Sequence, residues 1–281
     1  MVKNCLVQRF GEMGKDILSI LDGKTHGEYT LLDGRTLFMG LVLTSVKMVL
    51  AWMGSVLFWA MGGVSFVWGG LVLLVTSLVI SPRHLPLLTR GVCWVALLFS
   101  GHPTVFKNPS PNPRKGPYIY VFNHASMLDG FIVMTAIPEY TVGIGKIEQF
   151  SIPFWKWIVA RWGVVGIDRS NSAHAIARLG DVVERVKKGD SVLISPEGTR
   201  SASGQLGPFK KGAFHLALEG KAPICPIRIR GAYEGKRPGS WLMSPTVVQI
   251  EYLPLVIPDE GGSVDELLEQ TRSRFLESGL S

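Results

Sequence analysis

Residues 118–135 read YIYVFNHASMLDGFIVMT, and this stretch decides the fold. Tyr118–Phe122 is a short run of aromatic and β-branched residues, the composition of a buried strand. Leu128–Thr135 is apolar with helical spacing. A strand passing through a short polar turn into a helix is the unit from which α/β domains are built. The same alternation continues downstream. Strands are expected at Val164–Ile167, Ser191–Ser195, Ile224–Arg230 and Val247–Leu253, and helices at Ala173–Lys188, Ala213–Glu219 and Val264–Ser278. Gly189 and Gly220 stop two of these helices, and Ser263 is placed to cap the last. The expectation is an α/β fold with a mixed central sheet covered by helices. Pro223 and Pro226 bracket the Ile224–Ile227 strand, and proline confines such a strand to an edge or a bulge.

Upstream the character changes. The chain has 281 residues, of which 18% are charged, against about 25% for an ordinary soluble domain. The deficit is concentrated between Leu37 and Ile80. Leu37–Ala60 and Val64–Ile80 are apolar runs of roughly 24 and 17 residues, near the roughly 20 a membrane-crossing helix needs. Met61-Gly62-Gly63 between them reads as the turn of an N-terminal membrane helical hairpin. Lys47 inside the first arm costs about 2.5–3.5 kcal/mol at a bilayer centre, so it either snorkels from a shallow hairpin or faces protein. Both dipping into and crossing the bilayer fit. Lys24, Arg35, Arg83 and Arg90 flank the hairpin on one side, which assigns that side to the cytoplasm. Three regions follow: an N-terminal segment 1–36 with a helical apolar face over Phe10–Leu21, the hairpin 37–80, and an α/β domain 81–281. Leu85–Phe99 is either a helix at the membrane interface or the start of the globular domain, and Asn108–Pro117 is a loop. No cleavable signal peptide is expected, since the first apolar run starts late and lacks a cleavage site.

The net charge of +7 suits an anionic partner. No compact Lys/Arg run of nucleic-acid type is present, so nucleic acid is not expected as a partner. Cys5, Cys93 and Cys225 are odd in number and far apart; neither a disulfide framework nor a metal site is suggested, and Cys93 and Cys225 read as buried apolar residues.

Four blocks carry the candidate chemistry. In Asn123–Asp129, His124 sits in the turn after a strand, and Asp129 is placed to bond one imidazole nitrogen. With no activated Ser or Cys beside it, such a dyad suits direct deprotonation of a substrate hydroxyl; the alternative is a capping Asp and a structural His. Gly163–Arg169 ends in Asp168-Arg169, where the arginine either grips a phosphate bidentately or pairs with its neighbour. Ser195-Pro-Glu-Gly-Thr-Arg-Ser201 follows a strand; either Glu197 and Arg200 pair and rigidify the loop while Arg200 reaches an anion, or this is an ordinary basic loop. Pro208–Ala213 leads from it into a helix N-terminus, where N–H groups attract anions. Ala222–Ile227 is the fourth block.

In this order and at these separations the four blocks resemble the glycerolipid acyltransferase family, the lysophosphatidic acid acyltransferases, over roughly residues 90–255. The resemblance implies a mixed sheet, a membrane-embedded N-terminal hairpin and a site facing the bilayer. It implies that His124 is the general base and Asp129 its orienting partner. It implies that Arg169, Lys146, Glu197, Gly198, Thr199 and Arg200 belong to the acceptor's phosphate site, with Glu197 open to a structural role. Ser195 stands where the family usually has phenylalanine. The implied reaction moves a fatty acyl group from acyl-CoA or acyl carrier protein to lysophosphatidic acid, with no metal and no other cofactor. Rival readings are an acyltransferase for another lysolipid or for glycerol-3-phosphate, and a non-catalytic membrane lipid-binding protein.

Overall fold

The computed structural model describes residues 34–108, 116–168 and 170–279. The Phe10–Leu21 helical face and Arg169 lie outside the described residues. The chain divides into two compact units, residues 1–53 and 54–281. In the first, the described residues form the opening half of helix α1 (Gly34–Val79), exposed where its side chains are described, Lys47 included.

The second unit begins partway along α1 and holds the sheet. A short 3-10 turn at Pro82–His84 separates α1 from α2 (Pro86–Phe99). The strands are β1 (Thr104–Phe106), β2 (Ile119–Phe122), β3 (Thr141–Lys146), β4 (Val165–Ile167), β5 (Ser191–Ile194), β6 (Ile224–Arg230) and β7 (Val248–Tyr252). Among them run α3 (Asp129–Ala136), α4 (Trp155–Arg161), α5 (Ser172–Lys187), α6 (Gly212–Gly220) and the single turn α7 (Ala232–Gly235), and α8 (Val264–Glu277) closes the chain. The strand order is β1-β7-β6-β2-β5-β3-β4. Every pairing is parallel except β6 with β7, so the sheet is mixed, as expected.

Alternation along β2 shows why the sheet is covered on both faces. Ile119 and Val121 join a core with Val183, Phe214 and Phe275 from α5, α6 and α8. Tyr120 and Phe122 join the opposite core with Leu97, Ile132 and Val133 from α2 and α3. A strand buried on both sides loses the polar/apolar alternation of a half-exposed one, which is why Tyr118–Phe122 reads as a continuous apolar run. Helix α8 opens with a capping box between Ser263 and Glu266, confirming the expected cap.

One expectation needs correction. The hairpin does not turn at Met61-Gly62-Gly63: α1 is helical without interruption from Gly34 to Val79. A turn among apolar residues would leave backbone polar groups unsatisfied, whereas glycine inside a helix costs only about 1 kcal/mol. The chain reverses instead at Pro82–Leu85, where prolines cannot continue a helix, and α2 returns along α1 with Val92 beside Gly69 and Ser100 beside Gly62. Of the two alternatives that the prolines leave for β6, an edge or a bulge, the structure takes the bulge, since β6 lies between β7 and β2. Pro226 is accommodated by a bulge. The pairing shifts by one residue between Ile224↔Val256 and Ile227↔Tyr252, and Leu253 N–H donates to Pro226 O at 2.9 Å.

Candidate active site

Strands β2, β5, β3 and β4 are mutually parallel neighbours, so their C-terminal ends share one edge of the sheet. His124 follows β2, Glu197–Arg200 follow β5, Lys146 ends β3 and Asp168 follows β4. Blocks separated in sequence are thus brought together by topology, at the edge where open α/β sheets commonly bind ligands.

The His124 turn is over-determined. Asp129 is the first residue of α3 and fully buried. Its Oδ2 accepts from Ala125 N–H and Ser126 N–H, each at 2.7 Å, and lies 2.8 Å from His124 Nδ1. The carboxylate therefore closes its own turn and fixes the imidazole, leaving Nε2 for substrate. Asn123 anchors the preceding residue to β6, donating to Ile229 O at 2.9 Å and accepting from Ile229 N–H at 2.8 Å. Ser126 Oγ donates to Lys236 O at 3.0 Å, tying the turn to the segment after β6.

The Ser195–Ser201 loop braces this turn. Glu197 Oε1 accepts from His124 N–H at 2.7 Å, and Oε2 accepts from Gly207 N–H at 2.8 Å. Ser201 N–H returns a bond to His124 O at 2.7 Å. Burial pushes the Glu197 carboxyl above its ordinary range, against the pull of those two N–H donors. Both carboxylate oxygens are committed to backbone, and a second negative charge there would repel a phosphate. Glu197 is therefore a brace, not a phosphate ligand, and among the described residues it forms no ion pair with Arg200. Gly198 has φ +69°, and a Cβ there would also meet the Lys210 chain at 3.0 Å. At Gly207 a Cβ would lie 2.7 Å from Glu197 Oε2. Both glycines are demanded by the brace.

The cations are held loosely by contrast. Lys146 is half-exposed and pairs with exposed Glu148 at 2.6 Å. Thr199, Arg200 and Lys210 are exposed. Lys236, absent from the sequence reading, is buried with its ammonium on the carbonyls of Arg237 and Ser240. Burial, then the nearby Arg200 charge, lowers its pKa. Asp168 accepts from Ser170 N–H and Oγ, which hold its carboxyl below the usual range.

A cavity of about 690 Å³ opens beside His124. Lys146, Gly198 and Lys210 line it, as do apolar residues such as Phe66, Leu73, Phe131, Ile158 and Leu179. Ser195 lines it too, with a buried hydroxyl that has no hydrogen-bond partner among the described residues. The helical walls of the cavity come from α1, α2, α3, α4 and α5 among others, and no local signal in the sequence marks them as one surface.

His124 with its Asp129 partner, Lys146 and Lys210 thus line one mostly apolar cavity. Residues 104–230 match the Acyltransferase family model. Among relatives, a 1-acyl-sn-glycerol-3-phosphate acyltransferase of Limnanthes alba is 39% identical over 143 residues, 50% of this chain and 51% of that one. The Saccharomyces cerevisiae protein of the same name is 43% identical over 119 residues, 41% of this chain and 39% of that one. The 1-acyl-sn-glycerol-3-phosphate acyltransferase beta of Homo sapiens is 35% identical over 177 residues, 60% and 64% of the two chains. The chain spans about half the length of the first of these relatives. The crystal structure of the 1-acyl-sn-glycerophosphate (LPA) acyltransferase PlsC from Thermotoga maritima superposes with a TM-score of 0.70 at 22% identity, covering 83% of this chain and 97% of that one, which shows a shared fold.

Proposed function

We propose that this chain is a membrane-bound O-acyltransferase that moves a fatty acyl group from acyl-CoA or acyl carrier protein to the free hydroxyl of lysophosphatidic acid, giving phosphatidic acid. The observation that carries this reading is His124, with Nδ1 held 2.8 Å from buried Asp129, at the wall of a mostly apolar cavity that Lys146 and Lys210 also line. The names of the relatives support the acceptor.

In this mechanism Nε2 of His124 takes the proton from the acceptor hydroxyl as its oxygen attacks the thioester carbonyl. Asp129 stabilises the imidazolium. The tetrahedral oxyanion collapses, the C–S bond breaks, and the thiolate leaves and is protonated, so no covalent acyl-enzyme forms. The oxyanion requires donors. Gly198 N–H is spent on Ser195 O and Ser201 N–H on His124 O, and Pro196 has no N–H, which leaves the Ser195, Glu197, Thr199 and Arg200 N–H groups as this loop's candidates. Arg200, Lys146 and, by resemblance, Arg169 neutralise the acceptor's phosphate. The chemistry needs neither a metal nor a prosthetic group.

Helix α1 is long and apolar enough to cross a membrane, which supports membrane attachment. In this proposal the catalytic unit lies on the cytoplasmic side, which the basic residues following α1, Arg83 and Arg90, support. Protection of an engineered surface cysteine from an impermeant maleimide added outside intact cells supports that orientation, and labelling contradicts it. The acceptor is tested by supplying acyl-CoA with lysophosphatidic acid, glycerol-3-phosphate or a lysophospholipid bearing a head group. Labelled phosphatidic acid as the main product supports the assignment, whereas preference for either rival acceptor replaces it.

A further inference from the structure

The second half of α1 and the returning α2 present two concave faces. The inner one, with Phe66 and Leu73 of α1 and Cys93 and Ala96 of α2, lines the cavity containing His124. The outer one forms a separate groove of about 700 Å³, floored by Gly69, Gly91 and Val92 and rimmed by Trp68 and Leu87. Val92 is the single residue lining both, and it packs so closely on Gly69 that a Cβ there would lie 2.5 Å from its Cγ1. The groove is apolar throughout, apart from the Trp68 indole and Ser65, whose hydroxyl donates back to Met61 O. Its rims are open, with Trp68 70% and Leu87 76% exposed. Such a concavity on a helix suited to the bilayer opens onto hydrocarbon, not water.

We propose that this outer groove holds the hydrocarbon chain of the acceptor lysolipid while the inner cavity holds that of the donor. The inference rests on the acyl-transfer reading. A transfer complex contains two hydrocarbon chains. The donor arrives on a water-soluble thioester carrier, so its chain must be enclosed by protein. The acceptor's chain already lies in the bilayer, so a surface open to lipid suffices to orient it. A wall one side chain thick, Val92 against Gly69, sets the two chains side by side and keeps them apart.

Gly91 offers a clean test, because a Cβ there meets nothing within 4 Å. Gly91→Leu therefore fills the groove without displacing protein. Gly63 is equally open, is exposed on the same helix pair and lines neither cavity, so Gly63→Leu controls for added bulk. Both variants and wild type are assayed in vesicles with one acyl-CoA and either oleoyl- or hexanoyl-lysophosphatidic acid. Gly91→Leu raises KM for the oleoyl acceptor about tenfold, as for the loss of roughly two buried methylenes. It leaves KM for the donor and for the hexanoyl acceptor unchanged, and Gly63→Leu matches wild type. A rise in donor KM, or identical behaviour of the two variants, overturns the assignment. If wild type acylates neither acceptor, the acyl-transfer reading falls by itself, and the groove is judged by crosslinking alone. A lysophosphatidic acid with a diazirine in its chain must then label Trp68 and Val95, with labelling lost in Gly91→Leu. Labelling spread evenly over exposed α1 and α2 residues contradicts the groove.

Discussion

The His124 turn and the cationic edge next to it are built in opposite ways. In the turn, Asp129 Oδ2 takes three donors, Glu197 takes two, and Asn123 locks to β6 through both its amide atoms. At the edge, Lys146 has one exposed carboxylate partner, and Arg200 and Lys210 extend into solvent with no ion pair among the described residues. The difference separates two jobs. A base must hold its tautomer and position before substrate arrives, because a small misplacement costs rate. Phosphate-binding cations can reorganise on binding, since long-range attraction and several donors share the work.

The comparison is broken most directly at the dyad. Asp129→Asn keeps the shape of the side chain but removes the charge and points an NH₂ or a neutral oxygen at three donors. It lowers kcat by about 10²–10⁴-fold with a small change in acceptor KM, since a wrong tautomer alone has such an effect in related dyads. Steady-state kinetics check this. An effect confined to KM would place Asp129 in binding instead. At the edge the sign of the split reverses. Arg200→Ala raises KM for lysophosphatidic acid by about tenfold, as expected for one charge-assisted hydrogen bond, and the penalty shrinks for an acceptor without phosphate. An equal loss with both acceptors would separate Arg200 from the phosphate.

A smaller effect sharpens the role of the brace. Folding raises the Glu197 pKa, so the folded protein binds this proton more tightly than the unfolded chain. Wild-type stability therefore declines as pH rises from the ordinary carboxylate value through the raised one. Glu197→Gln lacks that titration. The Tm of wild type minus that of Glu197→Gln should fall as pH rises across this window, as read by thermal melts. A difference independent of pH would mean that folding leaves the carboxyl unshifted.

Local chemistry made much of this legible. The apolar run Tyr118–Phe122, the Ser263 cap and the helical spacing of α5 each announce their element within a few residues. The His124–Asp129 spacing announces the dyad, because the turn that joins them is local. What escaped the sequence is what depends on distant partners. Strands β1 and β3 were not anticipated: β1 has three residues, and β3 carries Gly143 and Gly145, both weak strand formers. The reversal of the apolar helices was misplaced because glycine pairs resemble turns in water, while in an apolar segment the helix satisfies its own backbone. The bracing of Glu197 by Gly207 and the cavity shared by α1, α2, α3, α4 and α5 depend on strand order, which no local pattern carries.

The central claim is that His124 is the base of an acyl transfer. It is tested most directly by following a labelled acyl group from acyl-CoA to lysophosphatidic acid in membranes containing wild type or His124→Ala at equal protein level. The account predicts phosphatidic acid from wild type and a loss of about 10²–10⁴-fold or more in the variant. Equal product from both would remove His124 from the mechanism.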